Sequence, residues 1–396
     1  MRRRHLLGRA SALTLAAAGP AIALPEGAAS LDPLLAPMLA EYRLPALVAA
    51  LVREGKLLGA GAVGTRCWGR EAPVRLDDAF HIGSDTKAMT SLLLAMLVEQ
   101  GRLRWDTTLG EGLPDLAAGM DPGLAGVTLT QLLSHTSGLP SDNEVFERLL
   151  GQSYLQSGNL DSLRYWLVQT WGRQPLAAPP GSRFAYSNLG YVMAGAIAER
   201  ATGRSWEELV AERIFDPLGL ATAGFGPAAR LGRVDAPLGH RWRQEAAPEP
   251  MLAGPNGDNP LIIGPAGTVH LSILDFAAWA AWHAAEGRRG PALVTPETVR
   301  RLHRPVIDLP PRPDAAPGTP ATGGYALGWG RLAQPWSREP FLQHAGSNTL
   351  NLALVMLQPR LDFAMVMATN IGGERADAAL KALAEALYRQ HGPAPA

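Results

Sequence analysis

Two apolar runs of strand length, Ala46–Val52 and Leu57–Val63, flank the charged, glycine-bearing stretch Arg53-Glu54-Gly55-Lys56. Turn chemistry between two such runs predicts a β-hairpin. Beyond Phe80-His81-Ile82-Gly83, the segment Ser84–Gln100 carries apolar side chains at Met89, Leu92, Leu93, Met96 and Leu97. That spacing predicts a helix, and Gly101 just past its end is a natural stop. From 105 to 215 the pattern stays helical and is broken by turns, with segments at Thr130–Leu133, Glu144–Leu150, Leu160–Thr170, Asn188–Ala201 and Trp206–Phe215. Ser272–Ala285 predicts another helix. Tyr325–Arg331, Asn351–Gln358 and Phe363–Thr369 predict strands, the last two joined around Pro359-Arg360-Leu361-Asp362, and Ala376–Arg389 predicts a closing helix.

Strands, then helices, then strands and a helix is the order of an α+β protein whose sheet is assembled from both ends of the chain. The expected architecture is an antiparallel sheet flanked by helices in an α/β lobe (about 31–104 and 216–396). A mostly helical lobe (about 105–215) is inserted. Two lobes also suit the length, since 396 residues exceed what one core usually organises (roughly 250–300 residues). No internal repeat is visible, and the Pro/Gly/Ala-rich stretch 308–324 reads as a surface loop. Such loops and tight turns account for 43 glycines and 33 prolines.

Residues 1–23 form a segment of their own. Arg2, Arg3, Arg4 and Arg9 precede an Ala/Leu stretch that ends in Ala21-Ile22-Ala23, the three parts of a secretory signal peptide. Arg3-Arg4-His5-Leu6-Leu7 also resembles a twin-arginine export signal. A membrane anchor is the other reading, but the apolar stretch is short of the ~20 residues a span needs, and Pro20 interrupts its end. Cleavage would remove four of the 36 basic residues and none of the 36 acids, leaving a net charge of −4. The expected product is a periplasmic or secreted protein without a stable membrane anchor.

Composition narrows the chemistry. With 47% hydrophobic residues the chain is neither disordered nor fibrous. Balanced charge gives no basic excess for nucleic acid. The single cysteine, Cys67, excludes an internal disulfide and any cysteine-built metal cluster. Gly59-x-Gly61-x-x-Gly64 matches the dinucleotide fingerprint by letters, but a polar, broken segment follows where a helix should. No phosphate-binding G-x-x-x-x-G-K-[ST], no H-E-x-x-H zinc helix and no G-x-S-x-G elbow occurs, and the nine histidines are scattered. No metal is expected.

Ser84-Asp85-Thr86-Lys87 sits where an apolar run ends and a helix begins. Its i,i+3 spacing puts Ser84 and Lys87 side by side on one helical face. A lysine pushed toward its neutral form by burial can take the serine's proton, and the helix start supplies N–H groups for an oxyanion. The plainer reading is an N-capping serine beside a solvated lysine. Tyr186-Ser187-Asn188 opens the next helical run. There a phenol could shuttle protons if nearby cations favoured its phenolate, or simply pack, with Asn188 as a cap. His344-Ala345-Gly346-Ser347 lies on an apparent strand edge, where small residues admit a substrate backbone or merely make a turn.

In this order and at these separations, Ser84-x-x-Lys87, Tyr186-x-Asn188 and His344-x-Gly346 resemble the three motifs of the serine β-lactamase and penicillin-binding protein superfamily. The second-motif tyrosine resembles its class C β-lactamase-like branch, which includes D-alanyl-D-alanine carboxypeptidases, D-aminopeptidases and family VIII esterases. Leu132–Leu139, Asp216–Leu220, Pro265–Thr268 and Tyr325–Trp329 also resemble that branch, so the likeness covers about 31–388, one catalytic domain within 24–396. It implies an active site in the groove between the two lobes and an acyl-enzyme on Ser84, with Lys87 and Tyr186 as its proton network and no metal or organic cofactor. Asn188 would hold the substrate, and the N–H groups of Ser84 and Ser347 would form the oxyanion hole beside Gly346. His344 would line the pocket opposite Tyr186, and Trp329 would be a pocket wall or a core residue. His135, a lone histidine, reads as satisfying a turn. Substrates would be small molecules or peptides; oligomeric state stays open.

His344 departs from the penicillin-recognising pattern, which mostly carries lysine there. A histidine of ordinary pKa near ~6.5 is mostly neutral at pH 7 and grips an anionic substrate less firmly. The expectation is therefore an exported ester or amide hydrolase. The alternatives are a β-lactamase, a D-alanyl-D-alanine carboxypeptidase or D-aminopeptidase, and a non-catalytic penicillin-recognising module.

Overall fold

Glu54 (φ 53°) and Gly55 (φ 75°) form a two-residue turn with both φ positive, the geometry that matches strand twist. It folds Ala46–Arg53 back on Lys56–Gly64 with Arg53 opposite Lys56. Met365 and Met367 of the last strand, Phe363–Thr369, lie opposite Leu51 and Ala49. Segments from near the two ends of the chain thus meet in the middle of a sheet that has nine strands among the described residues. Its order is Ala29–Ser30, Lys56–Gly64, Ala46–Arg53, Phe363–Thr369, Leu352–Gln358, Phe341–Ser347, Gly330–Leu332, Gly323–Tyr325 and Ile307–Asp308. Among the described residues, every pairing in it is antiparallel except that of Ala29–Ser30 with Gly59 and Ala60. This computed structural model describes residues 24–243, 247–252, 254, 257–309 and 323–393. The expected export segment 1–23 and most of the expected loop 308–324 lie outside the described residues.

Strand alternation sends side chains to two faces. Leu47, Ala49, Leu51, Met365 and Met367 pack in one apolar cluster with Leu35, Leu380, Leu383 and Leu387, from helices Asp32–Glu41 and Glu374–His391. Val48, Ala50, Val366 and Ala368 face the other way, in a cluster with Phe276 and Ala280 of helix Ile273–Ala284. That second cluster continues through Leu92 and Leu93 of helix Thr86–Glu99 and Val192 and Ile197 of helix Asn188–Thr202. The sheet and the inserted helices therefore share one continuous core.

A charge is buried among those helices. Arg164, fully buried on helix Leu160–Trp171, makes paired hydrogen bonds to Glu199 (Nε to Oε1, 3.0 Å) and Glu207 (Nη2 to Oε2, 2.7 Å; Nη1 to Oε1, 3.0 Å). Glu199 also accepts the N–H of Trp206 at 2.9 Å. Burial works against the arginine's charge, and Glu207 and Glu199 outweigh it, holding its pKa above the ordinary value.

Three local features depart from the sequence pattern. Tyr325–Arg331 is not one strand but a tight hairpin, Gly323–Tyr325 against Gly330–Leu332. Ala326 N–H closes it onto the Trp329 carbonyl at 2.7 Å, and Gly328 takes φ 84°. A Cβ on Gly328 would come within 2.9 Å of Ala88 Cα, so the hairpin tip presses on the helix that carries Lys87. Helix Asp32–Glu41 has Pro33 in its first turn and Pro37 inside, which hid its periodicity. The expected helix Trp206–Phe215 shifts to π-helical bonding over Ala211–Phe215. Among the described residues, no helix is long and apolar enough to cross a membrane.

Candidate active site

Strand Ala79–His81 belongs to a small sheet with Val269–Ser272 and Gly224–Phe225. It delivers the chain to Gly83, at φ 50°, and a single 3-10 turn, Gly83–Asp85, leads into helix Thr86–Glu99. Gly83 and Gly346 lie backbone to backbone. A Cβ on Gly83 would sit 2.3 Å from Ser347 N, and one on Gly346 would sit 1.8 Å from the Ile82 carbonyl oxygen and 2.7 Å from Ser84 N. Only glycine fits either place. The consequence is that Ser84 and Ser347 come together across this contact.

Lys87 is fully buried, and its ammonium donates to three acceptors: Ser84 Oγ at 3.0 Å, Asn188 Oδ1 at 2.7 Å and the Ala266 carbonyl at 2.7 Å. Burial lowers its pKa to about 7, against Asp142 and Asp85, which raise it. Tyr186 donates its O–H to the same Ser84 oxygen at 2.7 Å. Lys87 Nζ lies 4.8 Å from the centre of the Tyr186 ring. Burial nevertheless pushes the phenol's pKa up, with the hydrogen bond to Ser84 pulling the other way.

Asn188 is engaged at both ends. Its carbonyl faces Lys87, its Nδ2 donates to Asp142 Oδ2 at 2.5 Å, and its backbone N–H donates to Asp142 Oδ1 at 3.2 Å. Nδ2 keeps one further N–H for a ligand. Asp142, exposed at the rim, opens the stretch 142–157, which the sequence marks as shaping the pocket without singling out this residue.

His344 points inward, 7% exposed, and is not a free pocket wall. Its Nδ1 lies 3.0 Å from the Ala345 carbonyl and 3.3 Å from Asp85 Oδ1, and its Nε2 lies 3.1 Å from Tyr325 OH. A carbonyl only accepts, so Nδ1 carries the hydrogen and Nε2 accepts from the tyrosine. Burial, reinforced by Lys87, lowers this ring to about 3, which keeps it neutral at pH 7. Burial also pushes the Asp85 carboxyl well above its ordinary pKa, with Lys87 pulling the other way. Neither Asp85 nor Tyr325 was singled out for the site from sequence. Ala345 and Ser347 alternate outward from His344 and are exposed. Within its neighbour Phe341–Ser347, strand Gly330–Leu332 reaches only Phe341–Gln343, so among the described residues His344–Ser347 is paired on one side only.

Trp329 is a core residue, not a pocket wall. It is fully buried, with ring centres 5.0 Å from His283 and 5.8 Å from His303. His135 holds a turn at φ 58°. Its Nδ1 accepts the Ser187 N–H at 3.1 Å, its carbonyl accepts the Ala185 N–H at 2.8 Å, and its ring lies 4.3 Å from that of Tyr186. It fixes the segment that presents the phenol. Among the described residues, no group of three or more His, Cys, Asp or Glu is arranged to hold a metal.

Comparison with known proteins follows the same lines. Penicillin-binding protein 4 of Amycolatopsis lactamdurans is 28% identical over 337 residues, covering 84% of this chain and 82% of that protein. Esterase EstB of Burkholderia gladioli is 35% identical over 210 residues, 50% of this chain and 51% of its own. The lovastatin esterase of Penicillium rubens is 31% identical over 200 residues, 47% and 49%. The matches thus span about half of each esterase. The fold resembles the octameric penicillin-binding protein homologue from Pyrococcus abyssi, with a TM-score of 0.70, 23% identity and coverage of 89% of this chain and 76% of that one. It also resembles a D-stereospecific amidohydrolase from Streptomyces sp., with a TM-score of 0.66, 22% identity and coverage of 89% and 95%. The beta-lactamase family itself matches over residues 31–390. With that extent of match on a shared α+β fold, the chain belongs to the beta-lactamase family of serine hydrolases.

Proposed function

We propose that this is an exported serine hydrolase that cleaves an ester or amide through an acyl-enzyme on Ser84. The observation that carries the reading is the convergence of Lys87 Nζ and Tyr186 OH on one serine oxygen, with Lys87 brought to about 7. In its neutral form Lys87 accepts the Ser84 proton as Oγ attacks the carbonyl. The developing oxyanion is received by the N–H groups of Ser84 and Ser347. Tyr186, protonated and 2.7 Å from the oxygen, gives a proton to the departing group and regains it through Lys87. Water, activated by the same pair, then releases the acyl group.

Neutral, buried His344 offers no fixed cation for a substrate carboxylate, and two relatives with esterase names support an ester as first substrate. The one-sided strand at His344–Ser347 favours a second reading, an extended D-peptide added along that edge. The name of the Amycolatopsis relative points the same way. A short-chain p-nitrophenyl ester and a chromogenic cephalosporin, assayed together with Ser84→Ala as control, test the proposal. Fast ester turnover with slow cephalosporin turnover, both lost in the mutant, is the expected result. Undiminished activity in Ser84→Ala would refute the mechanism. Fast cephalosporin turnover would move the assignment to a β-lactamase, and ligand binding without turnover to a binding module. Export through residues 1–23 predicts a periplasmic or secreted product whose intact mass lacks that segment.

The lysine sets the pH dependence. Because neutral Lys87 is the base, kcat/KM is expected to rise with pH through about 7. Asp142 raises the lysine's pKa. Asp142→Asn should therefore shift the acid limb of the profile to lower pH; a shift to higher pH, or none, would contradict this assignment.

A further inference from the structure

Behind the nucleophile turn lies a second histidine–carboxylate contact. His81, Asp258 and Asn348 come from three separate segments; His81 and Asn348 are each 5% exposed, and the Asp258 side chain is 4% exposed. His81 Nδ1 accepts the Gly83 N–H at 3.0 Å, so the ring carries its hydrogen on Nε2, which lies 2.8 Å from Asp258 Oδ1. That contact is close but off the axis of an aligned hydrogen bond. The same carboxylate oxygen accepts Asn348 Nδ2 at 2.8 Å and the Asn259 N–H at 2.6 Å. Asn348 in turn accepts the Leu350 N–H at 3.2 Å and Asn351 Nδ2 at 3.1 Å through its own Oδ1.

This chain of contacts begins one residue before Ser84 and ends one residue after Ser347. Between them the two backbones touch at Gly83 and Gly346. The turn at the far end holds Thr349 at φ 69°, a conformation a β-branched residue keeps only where its surroundings impose it. Asn259 adds a bond from its Nδ2 to the Gly267 carbonyl at 2.7 Å, beside Gly83.

We propose that Asp258, through His81 and Asn348, is the positioning residue of the oxyanion hole: it fixes the spacing between the Ser84 and Ser347 N–H groups. The inference rests on the acyl-enzyme reading above. A brace of this kind acts on the tetrahedral state and leaves ground-state binding alone.

The test compares Asp258→Ala, Asp258→Asn and His81→Asn on a p-nitrophenyl ester. Phenylboronic acid, which forms a tetrahedral adduct on a serine, is titrated in parallel. In Asp258→Ala, kcat is expected to fall about 10- to 100-fold with KM within about twofold, the cost of a misplacement near 1 Å. Affinity for the boronic acid should fall by the same factor. Asp258→Asn keeps an acceptor oxygen for Asn348 and should recover most of the loss. Unchanged kcat and boronate affinity in Asp258→Ala would overturn the proposal, as would a raised KM with kcat intact. If Asp258→Ala does not fold, His81→Asn decides the matter. It keeps the acceptor for Gly83 but loses the reach to Asp258, and wild-type kcat and boronate affinity there would overturn the brace. Ser84→Ala separates the two claims. If it is inactive while Asp258→Ala and His81→Asn behave as wild type, the brace alone fails; if it is active, the acyl-enzyme reading fails.

Discussion

Lys87→Met is expected to leave a folded protein whose kcat/KM toward any accepted ester falls by about 10⁴- to 10⁶-fold, the range seen when one member of a nucleophile–base unit is removed. The unbranched replacement fills the buried stem, so the packing of helix Thr86–Glu99 survives. What disappears is the group proposed as the base for Ser84 and the donor for Asn188 Oδ1 and the Ala266 carbonyl. Stranding those two acceptors costs about 1–3 kcal/mol each, a loss that thermal unfolding would register separately. Intact-mass analysis after mixing with substrate should show no acyl adduct on the variant. An adduct formed at the wild-type rate would mean that some other group deprotonates Ser84.

Arg164→Met should be the most damaging substitution remote from the site. It leaves Glu199 and Glu207 facing each other among buried helices with their shared cation gone. Breaking a buried pair from one side costs about 3–5 kcal/mol. A urea titration followed by tryptophan fluorescence reads this directly, since fully buried Trp206, whose backbone N–H donates to Glu199, sits beside the cluster. Substituting Glu199→Gln and Glu207→Gln in the same chain should recover part of the loss, because the stranded charges are then removed. An unchanged unfolding midpoint in Arg164→Met would show that these carboxylates take up protons or water at little cost.

The sequence shows elements where one physical pattern runs long enough to be unambiguous. The hairpin Ala46–Gly64 and helix Thr86–Glu99 are of that kind, each with a glycine marking its turn or stop. Strands of two to four residues, such as Gly224–Phe225 and Val269–Ser272, are too short to establish a period. Tyr325–Arg331 misleads because its apolar composition suits a strand, whereas the turn depends on Gly328 alone. Trp329 misleads for a related reason: its partners, His283 and His303, are unrelated to it in sequence.

The site divides similarly. Ser84 and Lys87 are a weak signal by spacing alone, and Tyr186 and Asn188 by their place at a helix start; the three motifs become legible only together, as a family resemblance. Asp142, Asp85, His81 and Asp258 carry no chemical pattern of their own, and Tyr325 stands out only as part of the stretch Tyr325–Trp329. Their significance comes from neighbours up to about 180 residues away, as with His81 and Asp258. The inward rotation of His344 follows from strand alternation, but its lowered pKa depends on how thoroughly the fold buries it.

The meeting of both chain ends in mid-sheet also governs how the protein is made. Thr369 Oγ1 donates to the Ala46 carbonyl across 323 residues of chain. On the ribosome, strand Ala46–Arg53 can pair with its hairpin partner at once, but its other edge stays bare until Phe363–Thr369 emerges. At about 5–20 residues per second that is roughly 15–60 s of synthesis. Through this interval an edge of Ala, Leu and Val is open to pairing with any other strand, which makes the nascent chain a natural client for a chaperone. It follows that even a short C-terminal truncation reaching Phe363–Thr369 would leave that edge bare for good.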